Sequence, residues 1–308
     1  MRGPHTPPVR PSLIIRIPDW GADTDRSSPF ASWQDDLMKV GEITIDAVSD
    51  GYLPAPASAI FRRPDSDWEP HRQFLDEDGN ITFGMGGFLV RTGERVVLID
   101  VGIGPKSDPK LTGMFFQSLD QLGVMPEEVT DVALTHLHFD HIGWASDGER
   151  PLFPNATYRC HAADWDFFMG SEPYDDTRAV NLMGGQRAIE VLPAVAERLE
   201  PWSSDQTIVP GIDVRGAPGH TPGSTILTIS SGSERALLLG DVVHCPVELL
   251  ENDWVAIGDV DRQLAARTRE ALAKELEGTD IPMAATHFEG LRFGRLLAGN
   301  GRRQWLFD

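Results

Sequence analysis

The sequence predicts a layered α/β (α+β) fold, on three observations. Short strand-like apolar runs alternate with helical segments, the pattern that packed layers of sheet and helix produce. Residue types that ligate metals stand at the ends of those runs, where loops from several strands can converge on one point. The 308 residues suffice for a substantial core. We read them as one domain, 42–308, behind an N-terminal extension, 1–41.

The extension is rich in Pro, Arg, Asp and Ser and has little periodicity, so it is expected to be partly disordered or to cover the body of the protein. Phe30, Trp33 and Leu37 could form a short amphipathic segment over an active site or a partner subunit. The first strand is expected at 43–48, ended by an Asp50-Gly51 turn. A second, at Phe88-Leu89-Val90, turns through residues 91–94 into a third at 96–99, the ordinary signal of a hairpin. Val132-Ala133-Leu134 and Leu237-Leu238-Leu239 are further strand-like runs. The clearest helix runs from Asp261, an N-cap, to a stop at Gly278. Leu264, Thr268, Leu272 and Leu276 recur at helical spacing, so this helix should pack on the sheets with its charges in water. No internal repeat is evident.

The most informative stretch is Thr135-His136-Leu137-His138-Phe139-Asp140-His141, an H-x-H-x-D-H cluster that follows the run 132–134. Three imidazoles and a carboxylate this close would repel as cations and resist burial unless paired, and metal coordination removes that difficulty. Nitrogen and carboxylate donors suit zinc, and also iron, manganese or cobalt, whereas magnesium and calcium prefer all-oxygen shells. One cluster cannot complete two coordination shells. Further donors follow in order: His220 in a Gly/Pro turn, Asp241 after 237–239, and His287 after Ala284-Ala285-Thr286.

With these residues in view, the chain resembles the metallo-β-lactamase-fold hydrolases across roughly residues 43 to 300. The resemblance implies a four-layer αββα sandwich with two divalent metal ions, zinc first, at one edge of the sheets. Carried over by motif, His136, His138 and His220 would hold one ion, Asp140, His141 and His287 the other, and Asp241 would bridge them. Asp100 matches an aspartate that supports the metal loop from behind. Two ions about 3.5–4 Å apart can share a hydroxide, the expected nucleophile. The implied reaction is opening of a lactone or cleavage of a related ester, with Asp241 and Asp140 holding the geometry and Asp140 available to carry a proton.

His244, three residues after Asp241, departs from the acyl-homoserine lactonases of this superfamily, which usually carry tyrosine there; relatives similar to methyl-parathion hydrolase carry histidine. It could polarise a carbonyl or protonate a leaving group. Organophosphate or aryl-ester hydrolysis is therefore the first alternative, followed by a thioesterase or a single-iron persulfide dioxygenase. Phe139, Trp144, Trp165, Phe168 and Phe288 lie beside the ligand segments; Phe139, Trp144 and Phe288 are the expected substrate walls. His161 reads as a strand-end structural histidine and Cys245 as a packed thiol.

Composition narrows the partners. Lys+Arg 27 against Asp+Glu 47 gives a net charge of −20, which disfavours nucleic acid and leaves a small-molecule substrate. Two cysteines offer no disulfide framework, so a reducing cytoplasm is expected. No run of about 18 apolar residues occurs, so no membrane span is expected, and the N-terminus lacks the apolar core of a secretory signal. The resemblance also allows a homodimer.

Overall fold

The alternation of side chains along each strand assigns this protein's layers. In the computed structural model, residues 37–105, 112–299 and 301–308 are described; Phe30 and Trp33 lie outside them. Among the described residues, one six-stranded sheet runs β1 (Met38–Val40), β2 (Ile43–Pro56), β3 (Asn80–Thr92), β4 (Arg95–Ile99), β5 (Asp131–Ala133), β6 (Thr157–Arg159), in that spatial order. The second sheet comprises β7 (Gln206–Val209), β8 (Ile212–Gly216), β9 (Thr225–Ser231), β10 (Glu234–Leu238), β11 (Met283–Ala284), β12 (Gly294–Gly299) and β13 (Arg302–Phe307), ordered 13-12-11-10-9-8-7. Helices are α1 (Ala57–Phe61), α2 (Phe115–Gln121), α3 (Phe139–Ile142), α4 (Ala162–Met169), α5 (Thr177–Met183), α6 (Ala188–Val191), α7 (Val247–Leu250) and α8 (Arg262–Leu276).

Successive strand residues point to opposite faces, and the chain uses this to fill three cores. Phe88, Val90, Val97, Ile99 and Ala133 meet Leu227, Ile229, Ala236 and Leu238 between the sheets. Their neighbours Leu89, Leu98 and Val132 point the other way, onto Phe115, Leu119, Phe168 and Val191 of the helices outside the first sheet. Ile226 and Leu237 face outward from the second sheet onto Val247, Leu272 and Leu276. The result is the expected four-layer αββα sandwich. No helix among the described residues is long and apolar enough to cross a membrane.

Strands pair antiparallel except β4-β5-β6 and β10-β11, which are parallel. Parallel neighbours end on the same side. β4 therefore delivers Asp100 beside the segment leaving β5, while β10 and β11 deliver Asp241 and His287 side by side. This topology is what converts residues far apart in sequence into one site.

Three expectations change. Asp50-Gly51 is not a turn: β2 continues through it with a bulge between Ser49 and Gly51. The reason lies elsewhere in the chain, since the buried Asp50 carboxylate accepts N–H groups from Ile103, Gly104, Gly113, Phe115 and the Trp144 indole. Residues 38–40, grouped by sequence with the extension, form β1 and pair with Ile43, Thr44 and Ile45 at the edge of the first sheet. In α8, Asp261 does cap the helix through the Leu264 N–H. Not all its charges face water, however: Arg269 is 2% exposed, between two carboxylates. The hairpin at 91–94 turns tightly between Thr92 and Arg95, with Gly93 at φ 58, a backbone state that glycine adopts at little cost.

Candidate metal centre

The cluster begins as β5 ends. His136 and His138 flank Leu137, which is buried in the core beneath the first sheet, so the two imidazoles leave on the side away from that core. His138 retains extended backbone (φ −66, ψ 153), and α3 then carries Asp140 and His141 back towards the same point. Gly240 precedes Asp241 with φ 51, and a Cβ there would lie 2.6 Å from the Thr135 hydroxyl. Only glycine lets the β10 end approach the metal loop so closely.

One group of donor atoms comes from His136, His138, His220 and Asp241, and a second from Asp140, His141 and His287; within each group the atoms lie within 4.8 Å of one another and all seven residues are buried or nearly so. His138 Nδ1 is 3.0 Å from His136 Nε2 and 2.8 Å from His220 Nε2. Asp241 Oδ2 lies 3.7 Å from His136, 3.4 Å from His220 and 3.2 Å from His287, while Oδ1 is 3.1 Å from His141 Nε2. Asp140 Oδ2 is 3.5 Å from His287 Nε2. Donors on a tetrahedron with arms of about 2.0–2.1 Å stand about 3.3 Å apart.

The donors also fit a metal better than they fit one another. His141 Nε2 and Asp241 Oδ1 are buried and face each other, yet neither has a hydrogen-bond partner. Buried polar atoms are rarely left so, and a cation between such atoms would satisfy them. Burial, reinforced by neighbouring imidazoles, holds the pKa values of His136 and His138 well below the usual imidazole value, which keeps their lone pairs free. Burial also opposes charge on His141, but Asp241 and Asp100 outweigh it and raise its pKa well above that value. For Asp241, burial is outweighed by His141, His287 and His136, which hold the carboxyl well below its ordinary range.

The outward ring nitrogens are held in turn. His136 Nδ1 meets Thr135 Oγ1 at 3.1 Å, His141 Nδ1 meets Asp100 Oδ2 at 2.8 Å, His220 Nδ1 meets Asp259 Oδ1 at 3.2 Å and His287 Nδ1 meets the Gly84 carbonyl at 2.9 Å. Such contacts fix ring orientation and tautomer in metal sites. Asp100 also accepts the Thr135 N–H and hydroxyl and the Thr286 hydroxyl, from a left-handed backbone at φ 59. Asp259 was not visible in the sequence, where it is one acid among many in a loop without a motif. His161 caps α4 by accepting the Ala163 N–H, the structural role expected of it.

His244 faces this centre, with Nε2 3.5 Å from Asp241 Oδ2 and Nδ1 3.3 Å from Glu248 Oε2. A cleft beside His244 and His287 is lined by Phe74, Ile81, Phe288 and Phe307, with Gln73, Thr82 and Glu289 as polar neighbours. Of the three expected substrate walls, Phe288 borders this cleft. Phe139 is buried beside Gly185. Trp144 corrects the expectation: its indole N–H donates to Asp50 and its ring packs edge-on against Phe116, inside the core beneath the first sheet. Adjacency to the ligand loop did not mean exposure to substrate, because α3 ends at Ile142 and the chain turns back under the sheet. On the opposite flank, His138 touches Phe168 and Tyr174, the latter unmarked by any sequence signal. Cys245 lines the cleft as a buried thiol whose pKa burial pushes up.

An αββα sandwich with a His/Asp centre at the edge of its sheets defines a metal-dependent hydrolase. The chain belongs to the metallo-beta-lactamase superfamily, which residues 87–279 match. It is 26% identical over 211 residues to an N-acyl homoserine lactonase of Bacillus sp, covering 61% of this chain and 76% of that protein. Among solved structures it resembles AidC, a dizinc quorum-quenching lactonase in complex with a product, at TM-score 0.76 and 26% identity, covering 88% of this chain and 96% of that one. Its fold also matches the hydrolase AbOPH, with TM-score 0.77, 23% identity and coverage of 88% and 96%.

Proposed function

We propose that this protein is a dinuclear metal-dependent hydrolase that opens lactones or cleaves related esters. The observation that carries the reading is the convergence of His136, His138, Asp140, His141, His220, Asp241 and His287, with His141 Nε2 and Asp241 Oδ1 3.1 Å apart yet without a hydrogen bond. The lactonase relatives support the choice of bond. His136, His138 and His220 would hold one ion, Asp140, His141 and His287 the other, and Asp241 both; the donor set suits zinc. The chemistry such ions supply when bound is polarisation of the scissile carbonyl and ionisation of water near neutral pH.

The chain's own contribution is to fix and to enclose. Thr135, Asp100, Asp259 and the Gly84 carbonyl lock the rings of His136, His141, His220 and His287, so little reorganisation remains when substrate arrives. Phe74, Ile81, Phe288 and Phe307 offer an apolar wall for an acyl or aryl group. His244 borders that cleft and can hydrogen-bond the substrate oxygen through Nε2 while Glu248 holds Nδ1. A lactone suits such a site because its leaving oxygen stays tethered until a proton reaches it.

His244 also favours a second reading, hydrolysis of aryl phosphotriesters, which the notion of a polarising imidazole serves equally. Steady-state kinetics on a long-chain acyl lactone and an aryl phosphotriester decide between them. The lactone should show the higher kcat/KM; a preference for the phosphotriester would move the assignment. With either substrate, His244→Ala should lower kcat by about 100-fold at unchanged metal content, and a variant within twofold of wild type would remove His244 from the chemistry.

Metal removal should also be visible in stability. At about 1,000 times its dissociation constant a ligand stabilises the native state by about 4 kcal/mol, which for a chain of this size is on the order of 10 °C. Differential scanning calorimetry before and after chelation should show that fall in Tm, reversed by adding metal back.

A further inference from the structure

The outer partners of His220 and His244 converge on one side chain. Asp259 holds His220 Nδ1, and its other oxygen, Oδ2, lies 2.8 Å from Arg269 Nη2. Glu248 accepts the His244 backbone N–H at 2.6 Å, lies 3.3 Å from His244 Nδ1, and presents Oε1 3.5 Å from Arg269 Nη1. The same Nη1 donates to the carbonyl of Val242, the residue after Asp241, at 3.3 Å. Arg269, Asp259 and Glu248 are all buried. A charged guanidinium so deep in the protein is rare unless paired, and this one has two carboxylates and a carbonyl around it.

We infer that Arg269 is a positioning residue of the metal centre, bracing His220 through Asp259, His244 through Glu248 and the Asp241 segment through the Val242 carbonyl. The inference rests on the reading of His220 and Asp241 as metal ligands. α8 is built for this task beyond Arg269 itself. Its Thr268 hydroxyl donates to the Pro218 carbonyl, Asp261 N–H donates to the Gly219 carbonyl, and Ala265 packs where a Cβ on Gly219 would collide, so the helix start clasps the loop that carries His220. Arginine suits the position because its planar fork presents five N–H donors to separate acceptors, whereas lysine offers a single compact charge.

The inference predicts linked losses at two groups that do not share a backbone segment. In the full chain loaded with zinc, Arg269→Lys should surrender zinc to a competing chelator at least about 10-fold more readily, the lower end of what loss of an outer partner costs in metal sites. Its kcat on a reference ester should fall with it, more than KM rises. Asp259→Asn should act mainly on zinc retention, and Glu248→Gln mainly on kcat at full zinc. Arg215→Gln, which breaks an exposed ion pair to Glu275 on the same helix, should leave both quantities as in wild type and so separates positioning from general bracing of α8. A folded Arg269→Lys protein with zinc retention and kcat within twofold of wild type overturns the inference. Should Arg269→Lys fail to fold, the single-arm variants decide, and it is overturned if neither Asp259→Asn nor Glu248→Gln moves either quantity. Wild-type protein that binds no zinc would instead overturn the reading of the site, and the inference with it.

Discussion

Replacing Asp241 with alanine is expected to strip the centre of metal and abolish turnover. Asp241 has atoms within 3.7 Å of His136, His141, His220 and His287, drawn from both donor groups. Its loss removes the carboxylate that reaches both groups and that His141 Nε2 faces at 3.1 Å. The loss in kcat/KM should exceed the roughly 10–100-fold that follows removal of an outer partner, reaching about 1,000-fold or more. Elemental analysis should find less than one ion per chain. A variant that keeps its metal and works within 10-fold of wild type would show that Asp241 is a neighbour of the centre and not its bridge.

The largest effect on stability is expected at Asp50, a residue far from the chemistry. Its carboxylate is inaccessible to solvent and accepts N–H groups from Ile103, Gly104 and the Trp144 indole on one oxygen and from Gly113 and Phe115 on the other. Alanine would orphan these donors where water enters with difficulty. Each unsatisfied buried group costs about 1–3 kcal/mol, and with partial relaxation Asp50→Ala should lose about 4 kcal/mol. Asparagine keeps one acceptor oxygen but turns an NH2 group towards other donors, so Asp50→Asn should lose about half as much. Urea unfolding reads both as a lowered midpoint at unchanged slope. An unchanged midpoint for Asp50→Ala would mean that these hydrogen bonds contribute nothing net. Because Trp144 follows the ligand segment by three residues, a weakened Asp50 should also loosen metal retention.

What could be read from the chain was what is local or periodic. The apolar runs 88–90 and 96–99 around a Gly turn mark a hairpin, and β3 and β4 pair there as neighbouring strands. The seven expected ligands stood out because four of them sit within six positions, Asp241 and His287 follow strand-like runs and His220 lies in a Gly/Pro turn; in the structure they come together in two groups. Asp50-Gly51 was misread for the same reason: a dipeptide statistic for turns carries no knowledge of the five N–H groups that three other segments bring to that carboxylate. Arg269 was assigned to water by the polar-face argument, which fails when acids from two other elements neutralise a charge inside. The cleft walls Phe74, Ile81 and Phe307 belong to segments remote from any ligand. Phe74 ends a helical segment, Ile81 lies on β3 of the first sheet and Phe307 on β13 of the second, and packing across these elements unites them.

The most direct test of the account is a zinc titration of chelated protein, following proton release from a long-chain acyl lactone in weak buffer. The account predicts no turnover without metal, a rise that levels off at two equivalents of zinc per chain, and no response from His136→Ala. Saturation at one equivalent, or turnover indifferent to metal, would contradict a dinuclear centre, and a fully loaded protein that leaves the lactone intact would contradict the assigned reaction.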